Sequence, residues 1–268
     1  GSMFTTDRQS TLSTVLAKWF EERKVYKGKM KEAYTAGDKE KGAYYHLMQY
    51  TMKILLNSLY GATALPSFRY SLSLSILSEE RGELHGSKNS PLRFIIDPLD
   101  GTMNFVRGLG MSSISIALYS ENTPLFGVLA LYPSGDIVWG GKSLGSFLNN
   151  NPINVSSICK VDNSVLCTGF PSRFDFKDID FTKDFYKIVS DFGKTRMLGS
   201  ASISLLKVAT GSAEMYTEKD IMLWDVAAGL AIVEGAGGVI SVLPGSSKDS
   251  LNVVATNKCK EFIGYHEK

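Results

Sequence analysis

FIIDPLDGTMNF, residues 94–105, is an apolar run that ends in Asp97, Pro98, Leu99, Asp100, Gly101 and Thr102. Its first half reads as a buried strand, and the acids, proline and glycine predict a break directly after Asp97. A carboxylate carried to the edge of a core loses its hydration, and only a cation or a set of hydrogen bonds can replace that water. The stretch therefore predicts partners for Asp97 and Asp100. A turn of this kind can aim both carboxylates and the Leu99 carbonyl at one point, with the next backbone N–H groups facing an anion. Oxygen donors alone suit a hard cation such as Mg²⁺. An Asp-Pro turn with a capping aspartate is the structural alternative.

Working outward, SLSLSILSEE (71–80) alternates small polar and apolar residues and reads as a strand that ends at Glu79-Glu80. Far downstream, Asp225 follows Trp224 at the start of an apolar helix that stops at Gly235 to Gly238. Each acid also has a plain reading, Glu79 or Glu80 as a solvated strand end and Asp225 as a helix N-cap. Their joint occurrence beside glycine-rich turns is harder to attribute to caps.

SSISIALYS (112–120), FGVLALYP (126–133) and DIVWGG (136–141) read as successive antiparallel strands, with turns at Glu121-Asn122 and Ser134-Gly135. KSLGSFLNNNPINVS (142–156) adds a turn-rich hairpin. Helices are expected over 178–189 and about 202–210, the second followed by a short strand, with a loop before Trp224. Mixed strands and helices predict a layered α/β domain over residues 71–268.

The 268 residues are 44% hydrophobic and 21% charged, enough for one large domain or a domain with an extension. A net charge of +2 argues against a general nucleic-acid binder and against a membrane-surface protein. No apolar run is long enough to span a bilayer. Cys159, Cys167 and Cys259 are odd in number and widely spaced without a CxxC pair, which predicts reduced thiols in a cytoplasmic protein and no zinc site. Gly1-Ser2 ahead of Met3 has the look of a vector-derived addition, and no signal peptide follows. His46, His85 and His266 lie outside every motif and read as surface residues.

LSEERGE, DPLDGTMNF, WGGKSLGSFLNNNPINVS, GSASISLLKVATGSAEMYTE and LWDVAAGLAIVEGAGG closely resemble the signature segments of the inositol monophosphatase family. The resemblance covers roughly Leu77 to Asn257. It implies a layered αβαβα sugar-phosphatase-like core with mixed and antiparallel sheets. It also implies a phosphomonoesterase that uses two or three Mg²⁺ ions and metal-activated water on a small hydroxylated phosphate such as inositol monophosphate. Carried over, Glu79, Asp97, the Leu99 carbonyl, Asp100 and Asp225 would be metal ligands. Thr102, with Glu79, would orient the attacking water, and the amides of Gly101 and Thr102 would hold the phosphate. Ala201, Glu218 and Asp225 fall at positions that face the substrate. Lithium inhibition, a cytoplasmic location and a homodimer are further implications. A nucleotide 3′-phosphatase and a sugar bisphosphatase are sibling readings.

Residues 1–70 have a different grammar. Leu12, Val15, Leu16, Trp19 and Phe20 recur at helical spacing within an amphipathic helix from Ser10 to Tyr34, Ala36-Gly37-Asp38 breaks it, and a second helix runs over about 41–60. This N-terminal helical hairpin resembles the fingers segment of family-B DNA polymerases, with Lys53, Asn57, Ser58, Tyr60 and Gly61 matching KxxxNSxYG. A polymerase needs palm carboxylates and several hundred further residues to cradle a duplex, so polymerisation is excluded. The chain reads as a chimera of 1–70 and 71–268; an engineered fusion, a natural recombination and an error in the sequence all remain open. A non-catalytic chimera whose basic hairpin binds nucleic acid is the runner-up to the phosphatase.

Overall fold

A computed structural model describes residues 11–39, 41–42, 45–46, 49, 75–80, 82–84, 91–170 and 179–265. The chain divides into two compact units, one of residues 1–75 and 84–90, the other of 76–83 and 91–268.

In the first unit, helix α1 spans Thr11–Thr35. It ends where expected: Gly37 takes φ +78°, and the amide of Asp38 reaches back to the Ala33 carbonyl. Asp38 then accepts from the Lys41 amide, as an N-cap does. Of the described side chains of α1, Phe20, Val25 and Tyr34 are exposed and Ala33 is buried, while those of Leu12, Val15, Leu16 and Trp19 in the expected stripe fall outside that set. Residues 39, 41–42, 45–46 and 49 are helical. Lys53 to Gly61 lie outside the described residues, as do His85 and His266, while His46 is exposed.

The second unit holds two sheets. Strands β1 (Ser75–Ser78), β2 (Gly82–Leu84), β3 (Leu92–Asp100), β4 (Ser112–Ser120), β5 (Thr123–Tyr132), β6 (Ile137–Gly141), β7 (Gly145–Leu148) and β8 (Asn151–Ile153) form the larger, in the order β2-β1-β3-β4-β5-β6-β7-β8. From β3 to β8 it is the expected antiparallel meander. Local chemistry sets the turns: Asn149 and Asn150 both adopt positive φ, the type I′ pattern that suits a two-residue hairpin.

The smaller sheet is mixed. Strands β9 (Val165–Thr168), β10 (Lys194–Arg196), β11 (Met215–Met222), β12 (Val239–Pro244) and β13 (Ser250–Thr256) lie in the order β10-β9-β11-β13-β12, with β9 parallel to both neighbours. The loop expected before Trp224 is instead the end of β11. A bulge between Glu218 and Ile221, with Asp220 at φ 53°, interrupts its alternation and hid the strand.

Helices α2 (Thr102–Val106), α3 (Ile179–Asp191), α4 (Ala201–Ala209), α5 (Leu223–Gly235) and α6 (Lys260–Ile263) complete the unit. The pair α4 and α5 lies between the sheets, which is why α5 is apolar all round and buried from Val226 to Val233. Small residues bring it close to β5: a Cβ at Gly127 would stand 2.3 Å from the Ala228 carbonyl oxygen. Beyond the second sheet, Leu166 and Met215 pack with Phe192, Phe262 and Ile188, so α3 and α6 cover its outer face. The predicted layered α/β class is the observed one.

One expectation about the cysteines is corrected. Cys159 and Cys259 form a disulfide across 100 residues, and buried Cys167 is the free thiol. Spacing along the chain concealed a proximity that the fold creates: Asn257 donates to the Ile158 carbonyl at 2.7 Å, joining the segments that carry both sulfurs.

Candidate cation and phosphate site

Strand β3 does not break after Asp97; it continues through Pro98 to Asp100 over a bulge. Asp97 pairs with Ser115 and Asp100 with Ser113, so three steps on β3 match two on β4. In an unbroken strand, residues three apart point to opposite faces. The inserted residue returns Asp100 to the face of Asp97, toward the helix layer. The Leu99 amide donates to Asp97 Oδ1 at 2.8 Å and secures the bulge.

The turn that follows demands glycine. Gly101 has φ 77°, and a Cβ there would stand 2.7 Å from the Met111 carbonyl oxygen. Helix α2 has only five residues, and its last turns are pinned by buried Asn104, which donates to Met111 O at 2.8 Å and Leu198 O at 2.6 Å. The Thr102 hydroxyl donates to the Leu99 carbonyl at 3.0 Å.

Asp100 is anchored from the other side. Its Oδ2 accepts from the Ser200 hydroxyl at 2.5 Å, the Ser202 amide at 2.8 Å and the Ser202 hydroxyl. Ser200 is also the N-cap of α4, and Ser202 is held in turn by the Ser113 hydroxyl at 2.8 Å. With Oδ2 occupied, Oδ1 is the atom left for a further partner. Asp225 lies in the first turn of α5, but Met222 is the cap residue, so the capping reading of Asp225 fails.

Asp97, Asp100 and Asp225 each bring one oxygen into a group whose members lie within 4.8 Å of one another. Glu79, Leu99, Gly101, Thr102, Ala201 and Glu218 line the same cavity of about 400 Å³. While Lys53 to Gly61 lie outside the described residues, the structure thus brings the nine residues carried over from the phosphatase resemblance to one cavity. No lysine, arginine or histidine lines it among the described residues.

The electrostatics follow from that imbalance. Burial, then Asp100 and Glu79, pushes the Asp225 carboxyl up to about 8. Burial, then Asp100, holds the Asp97 carboxyl well above the usual carboxylate range. Burial raises Asp100 too, against the lowering effect of its serine donors, and it raises Glu79. Asp100, Glu79 and Asp225 all raise Asp97 by charge repulsion, so the cluster favours protons or cations among its oxygens. An all-oxygen set of acids with no basic neighbour fits Mg²⁺ or a similar hard ion.

Glu218, on β11, is pushed up to about 7 by burial despite accepting from the Tyr216 hydroxyl at 3.1 Å. Gly169 makes room for it, since a Cβ there would stand 2.5 Å from a Glu218 carboxylate oxygen. The sequence reading missed Ser200, Ser202, Asn104 and Tyr216. A serine opening a helix is a readable capping signal. Its second duty toward Asp100 is not, because that partner is 100 residues away.

Sheet, helix pair and acid-lined cavity together define a layered α/β protein of the sugar-phosphatase type, with an acid cluster that could hold a cation beside an open pocket. The profile of the inositol monophosphatase family matches residues 69–263, and the chain belongs to that family. The profile of DNA polymerase family B matches residues 2–78. An inositol-1-monophosphatase of Synechocystis is 38% identical over 186 residues, 68% of this chain and 64% of that protein. The Nus factor SuhB of Pasteurella multocida is 34% identical over 167 residues, 62% of each. The chain thus spans less than two thirds of either relative's length. The structure of an inositol monophosphatase from Anabaena superposes with a TM-score of 0.67 at 27% identity, covering 88% of this chain and 92% of that one.

Proposed function

We propose that the protein is a Mg²⁺-dependent phosphomonoesterase acting on a small hydroxylated phosphate, inositol monophosphate foremost. The observation that carries this reading is the convergence of Asp97, Asp100 and Asp225 oxygens in a cavity that no basic residue lines among the described residues. Asp97, Asp100 through Oδ1, Asp225, the Leu99 carbonyl and Glu79 would hold the ions. Bound there, Mg²⁺ supplies a lowered pKa for water and charge neutralisation for the attacking and leaving oxygens of an in-line displacement.

The chain's own groups do the rest. By donating to Leu99 O, the Thr102 hydroxyl leaves its lone pairs free to accept a hydrogen bond from one O–H of the attacking water, which keeps that proton. Glu79, at the rim beside Asp97, takes the other proton. Gly101 and Thr102 border the place of the phosphate, and Ala201 and Glu218 border the place of the hydroxyls. An ionised Glu218 accepts from a substrate hydroxyl and fixes its orientation.

Phosphate release from inositol monophosphate, fructose 1,6-bisphosphate and adenosine 3′,5′-bisphosphate, with and without Mg²⁺, tests the reading and ranks the substrates. Activity that survives both EDTA and Asp97→Asn sinks it. A second reading, binding of nucleic acid by the basic N-terminal segment, draws on the polymerase-family match and on the Nus factor name of a relative. Such binding weakens steeply as salt rises, so salt-independent retention of an oligonucleotide, or none at all, removes it.

A further inference from the structure

A second cavity, of about 470 Å³, opens at the other end of the same strand. Arg93 of β3 stands directly opposite Tyr119 of β4 and lines it. Arg93 and Asp97 are four residues apart, roughly 13 Å along a strand. Fully buried Ile95 lies between them, and the two cavities share no lining residue. This space is therefore separate from the acid cluster.

Leu223 and Leu230 of α5, Ile240 and Val242 of β12 and Leu251 of β13 give it an apolar side. Tyr119, Asn122, Thr123 and Ser250 also line it. Three charged side chains enter: Arg93, Glu234 and Lys248. Two are paired with charges of opposite sign. Glu234 meets Lys142 at 3.3 Å, and Lys248 meets Glu83 at 3.5 Å. Arg93 differs in that its Nε is shut off from solvent and has no hydrogen-bond partner among the described residues. A buried guanidinium N–H left without an acceptor is costly.

We propose that this cavity binds a small organic anion, its oxyanion head on the Arg93 fork and its apolar tail along Leu223, Ile240 and Leu251. A carboxylate and a phosphate monoester share the head chemistry, since both present two oxygens to a planar guanidinium. An apolar tail adds affinity by covering Leu223, Leu230, Ile240 and Leu251, a contact that an inorganic ion does not make.

The test uses the full chain in calorimetric titration, in EDTA and again in Mg²⁺, with four probes: octanoate, hexyl phosphate, inorganic phosphate and octanol. Octanoate or hexyl phosphate is expected to bind one per chain and to raise the melting temperature, and whichever binds tighter identifies the source of the anion. Octanol and inorganic phosphate are expected to bind at least about tenfold more weakly, since each lacks one half of the recognition. Arg93→Met is expected to weaken the organic anions at least about tenfold and to leave octanol unchanged. Asp97→Asn is expected to change neither affinity, because it acts at the other cavity. Should Arg93→Met fold poorly, Leu251→Trp, which fills the space, is expected to abolish binding of both anions. The proposal is overturned if octanol binds as tightly as octanoate. It is equally overturned if Arg93→Met keeps full affinity, or if neither organic anion binds at millimolar concentration.

Discussion

Asp225→Asn is expected to make the cation-free protein more stable at alkaline pH, although it removes a candidate ligand. Asp225 titrates near 8 in the folded chain against 3.8 for an ordinary aspartate. A raised carboxyl binds its proton more tightly folded than unfolded, so its contribution to stability is complete below pH 4 and is lost as pH climbs toward 8. In a rigid site that loss amounts to about 6 kcal/mol. Proton sharing with Asp97 and relaxation around the acids reduce it to about 2 kcal/mol. For a domain of this size the gain is roughly 4–8 °C in melting temperature. The assay is thermal unfolding of both proteins in EDTA at pH 5 and pH 8.5, repeated with Mg²⁺. The variant is expected to exceed the parent only at the higher pH, and Mg²⁺ is expected to raise the parent's melting temperature more than the variant's. A variant less stable than its parent at pH 8.5 in EDTA would refute the account of mutual repulsion among buried acids.

Other substitutions probe the parts separately. Ser202→Ala removes a donor from Asp100 Oδ2 and is expected to weaken Mg²⁺ binding about tenfold, read from the Mg²⁺ dependence of melting; an unchanged midpoint counts against anchoring by Ser202. Gly101→Ala is expected to cost about 3 kcal/mol in urea unfolding, from positive φ and the approach to Met111 O. Glu218 titrates near 7, so its carboxylate fraction rises between pH 6 and 8 and KM is expected to fall over that interval; Glu218→Gln should flatten the profile. Alkylation of the unfolded, unreduced protein is expected to label Cys167 alone, and reduction to expose all three thiols and lower stability by about 4 kcal/mol, given the 100-residue span.

The sequence determined the local grammar. The alternation in 112–120 and 126–132 specified the meander, Gly37 and Asp38 specified the end of α1, and Asn149-Asn150 specified a tight hairpin, because these signals act through neighbouring backbone angles. The sequence also marked the acids of the site, since DPLDGT and WDVAAG keep their resemblance whatever lies between them. Only the tertiary structure decided that a bulge turns Asp97 and Asp100 to one face, that Ser200 and Ser202 secure Asp100, and that Cys159 meets Cys259. It likewise decided that Arg93 Nε is buried without a hydrogen-bond partner among the described residues, while Glu234 in the same cavity meets Lys142. Pairings over such separations leave no periodic trace in the chain. They depend on which elements the packing of α4 and α5 between two sheets brings together.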